Sequence, residues 1–175
     1  MPAAVSPRHL LHLVSRRRRR SERQRSIVRH VVISVETHSP LEFVDITAAV
    51  SDAVGEVGLT EGLVLAQTRH TTTGLLINEH EPLLFADLEA LFERVAPASA
   101  AYAHDDLSRR TVNIAPGERR NGHAHCRAAL LRTSECVIVT GGRLHLGRWQ
   151  RVFLVEFDGG QQREVSLTLL GSAKR

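Results

Sequence analysis

Short apolar runs separated by turn residues recur along most of this chain and restrict the folds that it can adopt. They lie at residues 27–37, 41–46, 62–68, 75–78, 136–139, 150–157 and 163–170. The first run is rich in β-branched residues, which favour strands, and Pro40 follows its end. Two glycine pairs, Gly141-Gly142 and Gly159-Gly160, supply turns between the last three runs. The pattern predicts a chain built mainly from β-strands.

Three segments between these runs have the features of helices. They are residues 48–57, 83–95 and 122–131. Asp45 or Thr47 offers an N-cap for the first helix, and Gly58 lies just past its end. The second helix has apolar residues at helical spacing, and Asn121 precedes the third as its N-cap. Because helices and strands do not alternate regularly, we predict an α+β fold with a mainly antiparallel β-sheet system and about three helices.

The positive charge of the chain is concentrated at its beginning. Residues 1–26 contain eight arginines and one acid, Glu22, whereas the rest of the chain carries a small negative charge. Block charge of this kind usually stays solvated, so we predict a basic, disordered arm over 1–26, a single domain over 27–171 and a short tail over 172–175. An RNA-binding role or an organelle-targeting role for the arm remains open, and nucleic-acid binding is not expected of the domain.

Several classes of protein are excluded by what the sequence lacks. No apolar run approaches the roughly 18 residues of a membrane helix, so no membrane association is expected. The glycine motifs of nucleotide cradles and the GxSxG elbow are absent. The two cysteines, Cys126 and Cys136, form no CxxC pair, and we expect both to behave as small core residues. This cysteine usage favours a reducing, cytoplasmic location.

Three of the ten histidines lie beside polar residues at breaks between predicted elements: His70, His104 and His125. Three histidines with an open fourth position can hold a catalytic divalent metal such as Zn²⁺, whose bound water then loses a proton near neutral pH. The alternative is that hydrogen bonds or solvent satisfy these histidines. His123 and His125 are two residues apart on one predicted helix, so they cannot both bind one metal.

Acidic and amide residues near these histidines suggest further roles. Glu79 ends an apolar strand and is a candidate general base, or a partner for a nearby arginine. Asp105 and Asp106 either orient a ligating imidazole or are solvated loop acids. Asn121, at a helix start, either lies beside a bound anion or only caps the helix. Arg143 belongs to a group of three arginines that bind phosphate or form surface ion pairs.

Four segments taken together resemble one family, the YjbQ-like proteins. The segments are His70–Leu75 with Ile77–Glu79, Tyr102–Asp106, Asn121–His125, and Gly142–Gln150 leading into Phe153–Gly159. The resemblance covers about residues 27–171, and the arm lies outside it. This family is of unknown function, and a secondary thiamine-phosphate synthase activity is often attributed to it.

The resemblance implies a compact α+β fold, a homotrimer and a histidine-rich site. It implies His70, His104 and His125 as metal ligands, with His125 and Glu79 as catalytic residues. The implied substrate contacts are Asn78, Asn121, Arg143, Trp149 and Gln150. Histidine donors favour zinc over magnesium, which prefers oxygen ligands.

The expected activity is therefore of the thiamine-phosphate synthase type, with a small phosphorylated substrate. Two alternatives stay open at this point. One is a metal-dependent hydrolase or lyase acting on a phosphorylated small molecule. The other is a non-catalytic trimer that binds a metal or an anion.

Overall fold

A computed structural model describes residues 24–174 of the chain, which form eight β-strands and three α-helices. The strands are β1 (Gln24–Glu36), β2 (Glu42–Asp45), β3 (Leu59–Thr68), β4 (Thr73–Glu79), β5 (Ser134–Thr140), β6 (Arg143–Leu144), β7 (Gln150–Glu156) and β8 (Gln162–Lys174). The helices are α1 (Thr47–Val57), α2 (Pro82–Val95) and α3 (Gly122–Ala128), and Ala103–Asp105 forms one turn of 3₁₀ helix. The predicted arm lies outside the described residues, apart from its last three.

The strands form two antiparallel sheets. The larger sheet has the order β1-β8-β3-β5-β6, and the smaller one has the order β2-β7-β4. Every strand pair in these sheets is antiparallel, as the sequence predicted. The α+β class with a mainly antiparallel sheet system and three helices is therefore confirmed.

The two sheets and helices α2 and α3 pack as three layers around two cores, and helix α1 packs into the first of these cores. The first core lies between the sheets and contains Val152 and Leu154 of β7. The second core lies between the smaller sheet and helices α2 and α3, and it contains Phe153, Val155 and Phe157. Alternate residues of β7 enter the two cores because successive side chains of a strand point to opposite faces. Burial on both faces explains why β7 is apolar almost throughout.

The outer face of the larger sheet carries an apolar row and has no layer above it in residues 24–174. Val28 pairs with Leu170, Leu170 with Leu63, and Leu63 with Ile138, so these side chains form a row across four strands. Val28, Ile138 and Leu170 are exposed, and Val32 is exposed on the same face. We call this surface, defined by Val28, Val32, Leu63, Ile138 and Leu170, the outer sheet face.

Several local predictions differ from the structure. Neither Asp45 nor Thr47 is the N-cap of helix α1, since Ile46 occupies that position. Asp45 accepts a hydrogen bond from the Thr47 amide but makes no capping bond. Gly58 does end this helix, in the left-handed conformation at φ 69°. The expectation that Cys126 and Cys136 lie in the core is wrong, since both side chains are exposed.

Strand pairing also extends beyond the predicted ends of the domain. Strand β1 begins at Gln24 and pairs with β8 up to Lys174. The last three residues of the predicted arm and the first three of the predicted tail are therefore strand residues. Residues 24–26 and residues 172–174 pair with each other, so each segment supplies the hydrogen-bonding partners of the other.

Candidate active site

The turn between β3 and β4 carries the first predicted histidine. His70 Nε2 accepts a hydrogen bond from the backbone amide of Glu164, at 2.8 Å. An imidazole that accepts at Nε2 is neutral and carries its proton on Nδ1. Burial and the neighbouring Arg163 guanidinium lower the pKa of His70, which favours the same neutral form. His70 therefore ties this turn to β8.

A buried ion pair between Arg163 and Glu156 contacts the turn between β3 and β4 through Thr72. Arg163 Nη2 donates to Glu156 Oε1 at 2.7 Å and to the Thr72 hydroxyl at 3.1 Å. Glu156 is completely buried, and its Oε2 also accepts from the Thr37 hydroxyl at 3.1 Å. Burial by itself raises the pKa of the Glu156 carboxyl, but the bonds from Arg163, the Asp158 amide and Thr37 outweigh it and keep the pKa below its usual value. The pair anchors one end of both sheets.

The other two predicted histidines lie against each other. The 3₁₀ turn presents His104 and helix α3 presents His125, with their ring centroids 4.6 Å apart at an interplanar angle of 65°. Gly122 permits this approach, because a Cβ atom there would lie 2.5 Å from Tyr102 Cβ and 3.2 Å from Asp105 Oδ1. We call the two side chains the histidine pair.

Asp105 holds the two halves of the histidine pair together. Its Oδ1 accepts hydrogen bonds from the backbone amides of Asn121 at 3.0 Å and Gly122 at 2.9 Å. Asp105 thus binds amides at the start of α3, and neither role considered for it from the sequence describes this contact. The Asn121 side chain makes no capping bond and donates instead to Asp158 Oδ2 at 3.0 Å.

Two buried polar atoms in this region lack hydrogen-bond partners within residues 24–174. They are His104 Nε2 and Asn121 Oδ1. The Glu118 carboxylate lies near His104 Nε2, with its Oε1 3.8 Å away. The Asn121 Nδ2 group already donates to Asp158. The remaining amide oxygen of Asn121 can only accept a hydrogen bond. Unpaired buried polar groups are costly, so both atoms mark places where a ligand atom or a water would be favoured.

The environment of His125 favours a neutral imidazole. Burial lowers its pKa, and the neighbouring His104 lowers it further, against a smaller opposing effect of a hydrogen bond with the Thr71 backbone. That bond also connects the histidine pair to the turn that contains His70. A neutral His125 beside His104 can accept a proton at neutral pH, as general base catalysis requires.

An open hollow of about 560 Å³ lies beside the histidine pair, and we call it the Arg120 hollow. Its lining includes Tyr102, His104, Arg110, Arg119 and Arg120. Arg110 binds the Glu118 carboxylate and donates to the carbonyl groups of Val112 and Asn113, so it closes the loop above His104. The sequence singled out His104, Asp105 and Asp106 in this region, but it did not single out Glu118, Arg119 or Arg120 as site residues.

The predicted site residues fall into two groups within one chain. His70, His104, His125 and Asn121 lie near the beginning of β4 and the end of β7. Asn78 and Glu79 lie at the other end of β4, about 20 Å away at the usual rise per strand residue.

The remaining predicted substrate contacts belong to this second group. Glu79 pairs with Gln150 in the sheet, and the segment that begins at Arg143 leads through Trp149 to Gln150. Glu79, Arg143, Trp149 and Gln150 are exposed, and Trp149 stacks against Arg148. The structure therefore does not bring Glu79 to the histidine pair within a single chain.

The expected three-histidine metal set does not form in the described chain. Two of the three ligands are neighbours, but His70 Nε2 is occupied by the Glu164 amide. Among residues 24–174, no three His, Cys, Asp or Glu side chains are arranged to hold a metal ion. Catalytic zinc usually has three protein ligands, so these residues do not fit the expected set. The divalent metal stays a prediction, and no catalytic step below depends on it.

The layered α+β fold is shared with known proteins. The family model described as "UPF0047 protein YjbQ-like" matches residues 31–172, and the chain belongs to this family.

Relatives with the same family name occur in archaea and bacteria. The chain is 38% identical over 138 residues to a UPF0047 protein of Archaeoglobus fulgidus, a match that covers 79% of the chain and 98% of the relative. It is 33% identical over 140 residues to the UPF0047 protein YugU of Bacillus subtilis, covering 79% and 97%. These names state a family and no activity.

Solved structures have the same fold. A YbjQ-like protein of unknown function from Sulfolobus solfataricus P2 matches with a TM-score of 0.74 and 30% identity, over 84% of this chain and 99% of that one. A hypothetical protein from Aeropyrum pernix K1 matches with a TM-score of 0.72 and 31% identity, over 82% and 98%. None of the helices in residues 24–174 has both the length and the apolar character needed to cross a membrane.

Proposed function

We propose that this chain is an enzyme that acts on small phosphorylated molecules, with His104 and His125 as its acid–base pair. One observation carries the proposal: the buried, unpartnered Nε2 of His104 lies beside a second imidazole at a hollow lined by arginines. An imidazole next to an open hollow suits proton transfer, and guanidinium groups suit phosphate.

The reaction that we favour is of the thiamine-phosphate synthase type. A thiazole ring nitrogen attacks the methylene carbon of a pyrimidine pyrophosphate, so that a C–N bond forms as the C–O bond breaks. Pyrophosphate leaves with the electron pair of that bond. Arginines stabilise its developing charge, and a histidine can supply a proton to it. A hydrolase or lyase acting on a phosphorylated small molecule is the second candidate, because the same groups would serve it.

We also propose that the chain assembles as a homotrimer, as its resemblance to the family implies. The support is the outer sheet face, because an exposed apolar row across four strands is typical of an interaction surface. A second copy also offers a route by which the Glu79 end of one chain could approach the histidine pair of another. The assembly would then unite the two groups of predicted site residues, with Glu79 keeping its proposed role in proton transfer.

The direct test is turnover of purified protein with a pyrimidine pyrophosphate and a thiazole phosphate, followed by pyrophosphate release. We expect His104→Ala and His125→Ala each to lower kcat by about 10²- to 10⁴-fold, the usual contribution of a general acid or base. His123→Ala is the matched control, since His123 lies two residues from His125 on the same helix and should retain most activity. Glu79→Gln tests whether Glu79, which lies at the other end of β4, contributes to turnover.

The outcome also separates catalysis from simple binding. If the parent protein binds pyrophosphate but releases none from the substrates, the non-catalytic alternative is favoured. Full activity in both His104→Ala and His125→Ala would refute the role of the histidine pair.

A further inference from the structure

His104 lines a second hollow as well as the Arg120 hollow. The second hollow measures about 440 Å³ and is lined by Ala103, His104, Arg109, Arg110, Val112 and Asn113, and we call it the Arg109 hollow. Arg110 also lines both hollows. Each hollow is within the size range of small-molecule sites.

The acidic groups around the two hollows are already engaged. Asp105 accepts from two backbone amides, and Asp106 accepts from the amide and the hydroxyl of Ser108. Glu118 is bound by Arg110 and by the Ala115 amide, and the hydrogen bond from Arg110 keeps the pKa of this carboxyl below its usual value. These carboxylates keep their negative charge, but within residues 24–174 none of them forms an ion pair with Arg109 or Arg120.

The arginines of the hollows differ in their partners. Arg110 is bound by Glu118, and Arg119 donates to the Gly159 carbonyl and lies 3.8 Å from Asp158. The side chains of Arg109 and Arg120 form no hydrogen bond or ion pair with any residue from 24 to 174. Each hollow thus has one arginine without a side-chain partner in residues 24–174, and His104 lines both hollows.

We infer that the two hollows are two separate anion subsites, with Arg120 and Arg109 each recognising the phosphate group of a different reactant beside His104, which lines both. This inference rests on the proposed function and narrows it. A transfer between two phosphorylated molecules needs two such subsites, whereas hydrolysis of a single phosphorylated molecule needs one. The arrangement therefore favours a two-substrate transfer, with the reacting atoms meeting near the histidine pair.

The test is the number of pyrophosphate ions bound per chain, measured by equilibrium dialysis with the full-length protein at low ionic strength. We expect two ions on the parent chain and one on Arg120→Gln or Arg109→Gln. The double variant should bind none. Arg94→Gln is the matched control, because Arg94 is an exposed arginine on α2 with no partner in the described chain, and it should leave the number at two. Arg120→Lys should restore part of the binding, because it keeps the positive charge.

The possible results separate this inference from the proposed function. If the parent chain binds no pyrophosphate, the proposed substrate class is refuted. If it binds pyrophosphate but neither Arg109→Gln nor Arg120→Gln reduces the number bound, the two subsites are refuted while the proposed function stands. If the parent chain binds one ion and either single variant binds none, the two subsites are refuted in favour of one shared site. Circular dichroism should show an unchanged fold, since both arginines are exposed.

Discussion

The most specific expectation concerns Gly122, where the histidine pair depends on the absence of a side chain. In Gly122→Ala the new Cβ would lie 2.5 Å from Tyr102 Cβ and 2.8 Å from Tyr102 Cγ. Ordinary carbon contacts are about 3.5–4.0 Å, so the 3₁₀ turn and helix α3 must separate by roughly 1 Å. Crowding of this kind costs about 1–3 kcal/mol, and alanine returns about 0.5–1 kcal/mol through its better helix propensity.

The expected net loss of stability for Gly122→Ala is therefore small, about 0–2.5 kcal/mol, whereas the expected loss of activity is large. A displacement of about 1 Å at a catalytic group can lower turnover by roughly 10²-fold. Urea unfolding measures the loss of stability, and the rate of pyrophosphate release measures the loss of activity. Gly55→Ala is the matched control, because Gly55 lies in α1 with nothing within 4 Å of an added Cβ.

Gly55→Ala should raise the free energy of unfolding by about 0.5–1 kcal/mol and leave turnover unchanged. If Gly122→Ala retains full turnover, then the close approach of the 3₁₀ turn to α3 is not needed for activity, and the reasoning that links Gly122 to the histidine pair is refuted.

Three further predictions concern the ion pair and the outer sheet face. Arg163→Met should lower the free energy of unfolding by about 3–5 kcal/mol in urea titrations, because it leaves the buried Glu156 charge without its partner; a loss below about 1 kcal/mol would contradict this. The pKa of Glu156 is lowered on folding, so its contribution to stability is present above the ordinary value of 4.5 and is lost as the pH falls below it. Glu156→Gln should accordingly flatten the acid limb of a plot of stability against pH, and an unchanged slope would count against the assignment. Val32→Lys should convert the proposed trimer to monomers in analytical ultracentrifugation, whereas Ser34→Lys, further along β1, should not; a trimer in both would place the interface elsewhere.

The arrangement of strands and helices was largely predictable because it depends on local patterns. The apolar residues of α2 recur at helical spacing, and a Pro82 start and Glu81 side chain at the N-cap reinforce that helix. The run over 150–157 indicated a strand, but its burial on both faces required knowledge of the helices above it. The ends of β1 and β8 were set by their pairing with each other, which no local pattern reports.

The candidate site was predictable only in part, because its contacts join segments far apart in the chain. His104 and His125 were both singled out from the sequence, but their contact depends on Gly122, which looks in the sequence like an ordinary residue at a helix start. The role of Asp105 was missed for the same reason, since its partners are the backbone amides of Asn121 and Gly122. Backbone amides carry no sequence signal.

The cysteines show a different limit of sequence reasoning. Cys126 and Cys136 have apolar neighbours, but one lies on the outward side of α3 and the other on the outer side of the larger sheet. Hydrophobic character predicts burial only when the layer that would cover a residue is known to exist.

The two hydrogen bonds of Asp105 have a consequence for how proteins of this kind can diversify. They join the 3₁₀ turn directly to the start of α3, so the spacing of the two imidazoles is independent of the loop over residues 106–118. That loop supplies Arg109 and much of the wall of both hollows. Under the proposed function, insertions, deletions or substitutions in this loop would alter which molecules the hollows accept while the contact of the two imidazoles is kept. Exchange of the loop would then test whether substrate preference and the histidine pair can be varied separately.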